Sequence, residues 1–392
     1  MSIKIYKVGG YVRDKILGIK SNDIDYVVVG GTISDMLDRG FLPVGRDFPV
    51  FLHPKTHAQY ALARVEKKSG VGYHGFQFYT NPDVTLEQDL QRRDITINAI
   101  AEDEYGNLID PFNGTYDILH KTIRHVSDAF IEDPLRVLRV ARFKARFGFK
   151  IAPGTLNLMQ KIVDSGELQY IAKERIWGEV GKALATDHPL LFFSTLYRVG
   201  ALVQFLPELV QVVRDKNIYL QIRHKFNHHN LNLINVNQRF AIICGCLCLH
   251  GHNNIAEMIN NKSMLGNDCT ELSRLVIKFN QAILNLQNLT AKEILDLLDK
   301  LDLRRKTKRF NAFNQVLQLM FNQMDKKAIM QNIQQIITIN NQFKNIDYAN
   351  ISQGLDHNQF LSKLKATKLD IIEKITLNDK CFRIKLCHQS PT

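Results

Sequence analysis

Two aspartates one residue apart, Asp23 and Asp25, head the run Asp23-Ile24-Asp25-Tyr26-Val27-Val28-Val29. In a strand, side chains two apart point to the same face. The spacing therefore predicts two carboxylates side by side, with Ile and Val burying the strand behind them. Parallel carboxylates repel unless a cation lies between them. Two magnesium ions held there could activate a ribose 3′-hydroxyl and stabilise a leaving pyrophosphate. Upstream stands Val8-Gly9-Gly10-Tyr11-Val12-Arg13-Asp14. A strand that ends in Gly-Gly before a helix exposes backbone N–H groups to phosphate oxygens at Gly10. Arg13, early in that helix, can add a charge-assisted contact to a triphosphate. Each motif is weak alone, because most Gly-Gly turns are only turns and an isolated Asp-x-Asp is mostly solvated loop. Together, in this order and on these elements, they are far more specific.

The elements that must position these residues have mixed α/β character over residues 1–126. The first eight residues alternate polar and apolar and read as a first strand, not as a signal peptide. Further strands are predicted at 24–29, 50–52, 59–64, 100–103, 108–110 and 122–126, with Tyr105-Gly106-Asn107 as a hairpin turn. Helices are predicted over 12–17 and from Thr85, where Glu87 and Asp89 occupy the first turns. From about Phe130 apolar residues recur at spacings of three and four, and strand signals nearly vanish. Ile294, Leu295, Leu297, Leu298 and Leu301 keep that period inside an Asn-, Gln- and Lys-rich stretch, so the last third reads as folded helix, not as a disordered tail. Leu206-Pro207-Glu208-Leu209 marks a boundary. The predicted architecture is an α/β head (1–126), a helical neck (127–210) and a helical body and tail (211–392).

The 392 residues favour two or three domains. No run approaches the roughly 18 to 20 apolar residues of a membrane span, and a cytoplasmic location is expected. The formal net charge of +12 favours a polyanionic partner such as nucleic acid, although Lys- and Asn-rich drift in the C-terminal half would give the same number. Cys244, Cys246 and Cys248 interrupt an apolar run without a Cys-x-x-Cys pair. They read as small buried hydrophobes of a cytosolic protein, not as zinc ligands.

Gly-Gly, a helix, then Asp-x-Asp on a strand resembles the nucleotidyltransferase superfamily that includes DNA polymerase beta. The N-terminal half is similar in more detail to bacterial class II CCA-adding enzymes, gammaproteobacterial type. Three further motifs carry the likeness: Gly45-Arg46-Asp47-Phe48-Pro49-Val50-Phe51, then Asp89-Leu90-Gln91-Arg92-Arg93-Asp94-Ile95-Thr96-Ile97-Asn98-Ala99, then Glu132-Asp133-Pro134-Leu135-Arg136-Val137-Leu138-Arg139-Val140-Ala141-Arg142-Phe143. The match runs in order from residue 3 to about 210. It implies a polymerase-beta-like head, template-independent addition of CCA to tRNA from CTP and ATP, and Mg²⁺ at Asp23 and Asp25. It also implies that Arg93 contacts the sugar and phosphates of the nucleotide, supported by Asp94 and Asn98. Read alone, Arg92 and Arg93 would be a solvated basic face. Arg139 and Arg142 are expected to face the nucleotide and its phosphates. Asp133 and Arg136, three apart on a predicted helix, are expected to read the base. A carboxylate accepts from an exocyclic amino group and a guanidinium donates to a ring nitrogen, an edge that cytosine and adenine share and that uracil and guanine reverse. The resemblance further implies a glycine-rich switch loop around residues 67–76 that turns specificity from C to A.

The likeness weakens after residue 210. The relatives carry a metal-binding HD domain there, but this chain reads Phe240-Ala241-Ile242-Ile243-Cys244-Gly245-Cys246-Leu247, with no His-Asp pair. His224 and His228, four apart, could share a helix face but lack a carboxylate partner. The expected role of 211–392 is to cradle the acceptor and TΨC arms of tRNA. A third metal carboxylate is not evident, since Gln59 stands where some relatives have an acid. Alternatives are a poly(A) polymerase, an enzyme adding only CC or only A, an inactive RNA-binding module, and a small-molecule nucleotidyltransferase. The last would not need the Asp133–Arg136 edge.

Overall fold

The computed structural model describes residues 3–44, 50–68, 76–262, 266–321 and 323–387. Residues 45–49 of the Gly-Arg-Asp-Phe-Pro motif and residues 69–75 of the expected switch loop lie outside them. The chain divides into two compact units, Met1–Val213 and Arg214–Thr392.

The first unit opens with β1 (Lys4–Val8), α1 (Gly10–Ile16), β2 (Asp25–Val29) and α2 (Ile33–Asp38). There follow β3 (Leu42–Val44), β4 (Val50–Leu52), β5 (Gln59–Leu62), β6 (Val65–Lys68), β7 (Phe76–Tyr79) and α3 (Leu86–Gln91). Then come β8 (Ala101–Glu102), β9 (Leu108–Ile109), α4 (Gly114–Leu119) and β10 (Thr122–Ile123). Helix α5 (Leu135–Phe147) leads through β11 (Lys150–Ile151) to α6 (Pro153–Asp164), α7 (Lys173–Leu184), α8 (Pro189–Arg198), α9 (Ala201–Phe205) and α10 (Gln211–Arg214). Seven strands form one mixed sheet in the order β3-β4-β5-β2-β1-β8-β9. Strand β2 is central, antiparallel to β1 and parallel to β5.

Alternation along β2 sorts its side chains onto two faces. Val27 packs with Val8, Leu90 and Ala101, whereas Val28 packs with Met36, Phe51 and Leu62. Burying each such aliphatic side chain contributes roughly 1.5–3 kcal/mol, which fixes the register and hence the face on which Asp25 emerges. Thr85 caps α3 in a capping box with Gln88. The predicted strand at 122–126 is only two residues long and pairs with β11 in a separate parallel ribbon.

The apolar stripe of α5 is fully buried at Val137, Leu138, Val140 and Ala141. Gly148, left-handed at φ 68°, ends the helix by donating its N–H to Lys144. The helix begins after Pro134, so Asp133 lies outside it, in extended backbone at φ −109° and ψ 104°. This corrects the prediction that Asp133 and Arg136 share a helix, because a residue before proline is pushed out of the α region.

The second unit is helical throughout its described residues: α11 (Lys216–Lys225), α12 (His228–Leu233), α13 (Val236–Leu249), α14 (Asn254–Lys262), α15 (Asn267–Leu284), α16 (Ala291–Leu301), α17 (Thr307–Met320), α18 (Gln323–Gln342), α19 (Tyr348–Ser352) and α20 (His357–Cys387). His224 lies in the last turn of α11 and His228 opens α12, because Asn227 caps the second helix. The two histidines therefore belong to different helices. Helix α13, which covers the expected HD position, is core: Phe240, Ile242, Ile243, Cys244 and Cys246 have no exposed surface. Burial pushes the Cys246 thiol up to about 12. A Cβ at Gly245 would stand 2.8 Å from Val276 and collide with Met320, so this glycine lets α13 approach α15 and α17 closely.

Candidate active site

A cavity of about 640 Å³ opens in the first unit, within the roughly 300–1,000 Å³ range of small-molecule sites. The sequence-derived residues Gly10, Arg13, Asp23, Asp25, Arg93, Asp133, Arg136, Arg139 and Arg142 all line it. They come from α1, the start of β2 and the residue pair ahead of it, the segment after α3, the extended residue Asp133, and α5. Cations outnumber carboxylates around the wall, which suits a polyphosphate.

Asp25 is the first residue of β2 and Asp23 lies just ahead of the strand, and both face the cavity. Withdrawal from bulk water, then the nearby Asp23 charge, push the Asp25 carboxyl above its ordinary value, against the pull of Arg93. A carboxyl whose proton affinity is raised by a neighbouring carboxylate is a fitting donor for a cation. Gln59 stands opposite Asp25 on β5, and among the described residues no group of three or more His, Cys, Asp or Glu could hold a metal. Two carboxylates suit magnesium, which takes its other oxygens from substrate phosphates and water.

Several of the cavity-lining arginines are fixed by acids behind them. Asp89, with no exposed surface, accepts from Arg92 at 2.7 Å and from Arg93 at 3.0 Å. Arg93 keeps a buried Nε with no partner among the described residues. Its guanidinium lies against Gly9, where a Cβ would fall 2.9 Å from Nη1. Gly9 has φ 70°, a value that disfavours any other residue. Arg13 donates to Asp14 at 2.9 Å and also to Asn98. Asn98 in turn donates to Asp94 at 3.0 Å, and Arg139 donates to the same acid at 2.7 Å. Burial pushes the Asp94 carboxyl up, but the Arg139 charge and the Asn98 hydrogen bond outweigh it and hold the group well below the usual carboxylate range. The Arg139 guanidinium is held above its ordinary value, chiefly by the Asp94 charge.

At the other end of the cavity, Asp133 accepts the Leu135 N–H at 3.1 Å and an Arg175 guanidinium N–H at 3.3 Å. Arg136 donates to the Ala129 and Arg92 carbonyls at 2.8 and 2.5 Å, which ties α5 to the Arg-Arg-Asp segment. Arg142 is clamped by Glu179 of α7 at 2.5 Å and lies 4.1 Å over the Phe143 ring. Sequence reading missed Arg64, Arg146, Arg175 and Lys182, which also line the cavity, and the acids Asp14 and Glu179, which are 5% and 3% exposed. Arg146 could have been found as a further cation on the Arg139–Arg142 helix. Nothing in the sequence ties Glu179 to Arg142.

Residues 5–124 match the family described as Poly A polymerase head domain, and residues 148–212 match the family described as Probable RNA and SrmB- binding site of polymerase A. The chain is 46% identical over 318 residues to a CCA-adding enzyme of Pseudomonas entomophila (strain L48), covering 79% of this chain and 83% of that protein. It is 45% identical over 320 residues to a CCA-adding enzyme of Pseudomonas putida (strain W619), covering 81% and 84%. Its fold is similar to that of Bacillus stearothermophilus CCA-adding enzyme in complex with CTP, with a TM-score of 0.71 at 21% identity over 98% of this chain and 95% of that one. A tRNA nucleotidyltransferase complexed with a primer tRNA and an incoming ATP analog aligns with a TM-score of 0.61 at 23% identity, over 86% and 96%. With identity at this level over most of both chains, the protein belongs to the CCA-adding enzymes, a family of nucleotidyltransferases.

Proposed function

We propose that this chain builds and repairs the CCA end of tRNA from CTP and ATP without a nucleic-acid template, at the cavity between Asp25 and α5. The observation that carries this reading is the convergence of an acid pair with acid-backed arginines in one cavity, in a chain 46% identical to a CCA-adding enzyme. The 3′-hydroxyl of the tRNA gives up its proton to water as its oxygen forms a bond to the α-phosphorus, the bond from that phosphorus to the bridging oxygen breaks, and pyrophosphate leaves. Asp23 and Asp25 would hold magnesium, which supplies Lewis-acid stabilisation of the attacking and leaving oxygens. Arg13, Arg93, Arg139 and Arg142 bind the sugar and triphosphate, and the turn at Gly10 lets the phosphates approach the backbone. Because their acids already fix them, these guanidiniums lose little freedom when the nucleotide arrives.

Asp133 accepts the exocyclic amino group of cytosine or adenine, and Arg136 donates to the adjacent ring nitrogen. Uracil and guanine would set a carbonyl against the Asp133 carboxylate, a mismatch that sites of this kind reject by about 10⁴-fold or more. In this reading residues 1–126 are the head, 127–210 the neck that carries the base readers, and 211–392 the body and tail that cradle the acceptor and TΨC arms. No helix among the described residues is long and apolar enough to cross a membrane, and we assign the activity to the cytoplasm.

The head match to poly(A) polymerases favours one second reading, poly(A) synthesis. A single experiment separates the two. A tRNA ending at the discriminator base is supplied with each nucleotide alone and with CTP plus ATP, and product lengths and 3′ sequences are read. CCA and a stop is the expected product. A growing A tract would replace this reading with the second.

A further inference from the structure

We propose that Arg146 is a further ligand of the triphosphate, held for that task by Asp14, and that it grips the terminal phosphates that leave as pyrophosphate. The inference rests on the nucleotidyl-transfer reading above. Arg146 lies in the last turn of α5 and lines the cavity. Its Nη2 donates to one oxygen of Asp14 at 2.9 Å. The other oxygen of Asp14 accepts from Arg13 Nε at 2.9 Å and Nη2 at 2.8 Å. One carboxylate that water barely reaches thus holds two guanidiniums, one from α1 and one from α5. The Phe147 ring supports both, with each guanidinium carbon 4.9 Å from its centroid.

Two cations this close repel. Burial lowers the Arg13 guanidinium below its ordinary value, and Arg146 adds to that while Asp14 opposes it. A carboxylate at the back and phosphate oxygens at the front are what such a pair needs. Arg146 gives one N–H to Asp14 and keeps a side chain that is 36% exposed, so the rest of its fork can meet a ligand. The order along α5 says which part of the ligand. The base readers stand at its start, Arg139 and Arg142 follow, and Arg146 lies roughly 15 Å beyond Arg136 along the axis, a span of the order of an extended nucleoside triphosphate. Asp14 touches no substrate in this scheme and is a positioning residue.

The test uses the full chain as wild type, Arg146→Ala, Asp14→Asn and the double variant. Dissociation constants are measured by calorimetry for CTP, ATP and inorganic pyrophosphate. Loss of one charge-assisted contact predicts that Arg146→Ala weakens all three by about tenfold, equally for CTP and ATP. Asp14→Asn, which also frees Arg13, should weaken all three at least as much, and the double variant should be no worse than the worse single one. Arg146→Lys, which keeps the charge but loses the fork, should recover part of the pyrophosphate affinity. Should Asp14→Asn not fold, the half-exposed Arg146 variants decide the matter alone. Wild-type pyrophosphate affinity in Arg146→Ala, a loss confined to one nucleotide, or multiplying effects in the double variant would overturn the proposal. CCA synthesis by the wild type on trimmed tRNA is run alongside. If that synthesis works and pyrophosphate binding ignores Arg146, only this inference fails. If no CCA end is made, the underlying reading fails with it.

Discussion

Helices α5 and α13 lie at the centre of their respective units and treat charge in opposite ways. On α5, Arg139, Arg142 and Arg146 meet Asp94, Glu179 and Asp14 at 2.7, 2.5 and 2.9 Å. Along residues 240–247 of α13 the only ionisable groups are thiols, and nearly every side chain is sealed from water. An unpaired buried ion costs several kcal/mol; on α5 acids match these three arginines, whereas the buried Arg239 of α13 donates to the Leu231 carbonyl at 2.7 Å. The matched helix is the one beside the cavity, whereas α13 contributes packing. Ion pairs of the second unit, such as Glu271 with Lys306 and Arg309, stand nearer the surface.

The contrast can be broken most decisively at the acid pair. Replacing Asp23 or Asp25 with alanine should cut CCA addition by about 10³-fold or more, several kcal/mol of transition-state stabilisation, with an unchanged circular dichroism spectrum. Full-speed repair of trimmed tRNA in either variant would remove the cavity from the chemistry. The next largest effect belongs to Asp133→Asn, which turns an acceptor into a group that can also donate. The preference for CTP over UTP, measured as the ratio of kcat/KM values, should fall by about 10²-fold. A preference that stays put would assign base choice elsewhere.

A change on α13 should behave differently. Gly245→Val overpacks the contact with Met320 and Val276 and should cost about 1–3 kcal/mol of stability, read as a lower denaturant midpoint. Activity per folded molecule should stay close to wild type, and a selective loss of kcat in folded protein would argue that α13 does more than pack. The smallest effect is expected at Glu271. Hydrogen bonds from Arg309 and Lys306 hold its carboxyl below the ordinary value. A depressed folded value stabilises above the unfolded carboxyl pKa of about 4.3 and is lost as pH falls through the folded one. Glu271→Gln should therefore cost less than about 1 kcal/mol near pH 7, and the gap to wild type should close as pH falls through the folded value. A gap that persists in acid would mean that the side chain acts through packing.

What the sequence made legible were features that repeat within one element. Strand alternation marked β2, the Gly-Gly turn marked the start of α1, and arginines three apart marked α5. The Asp133-Pro134 step even carried the signal that Asp133 could not be helical. The pairings that fix the site were not legible, because they join residues far apart in the chain. Asp14 and Arg146 are separated by 132 positions, and Arg142 and Glu179 by 37. Such partners become visible only when the sheet and α5 have packed.

Gly9 has a consequence for how this protein can vary. Every other amino acid at that position must adopt a left-handed backbone and share its volume with the tip of Arg93. Even alanine would push the guanidinium out of its seat and carry the disturbance to the Asp89 clamp. Position 9 therefore offers no gradual mutational route. Its first step away from glycine displaces the Arg93 guanidinium, which we assign to the incoming nucleotide.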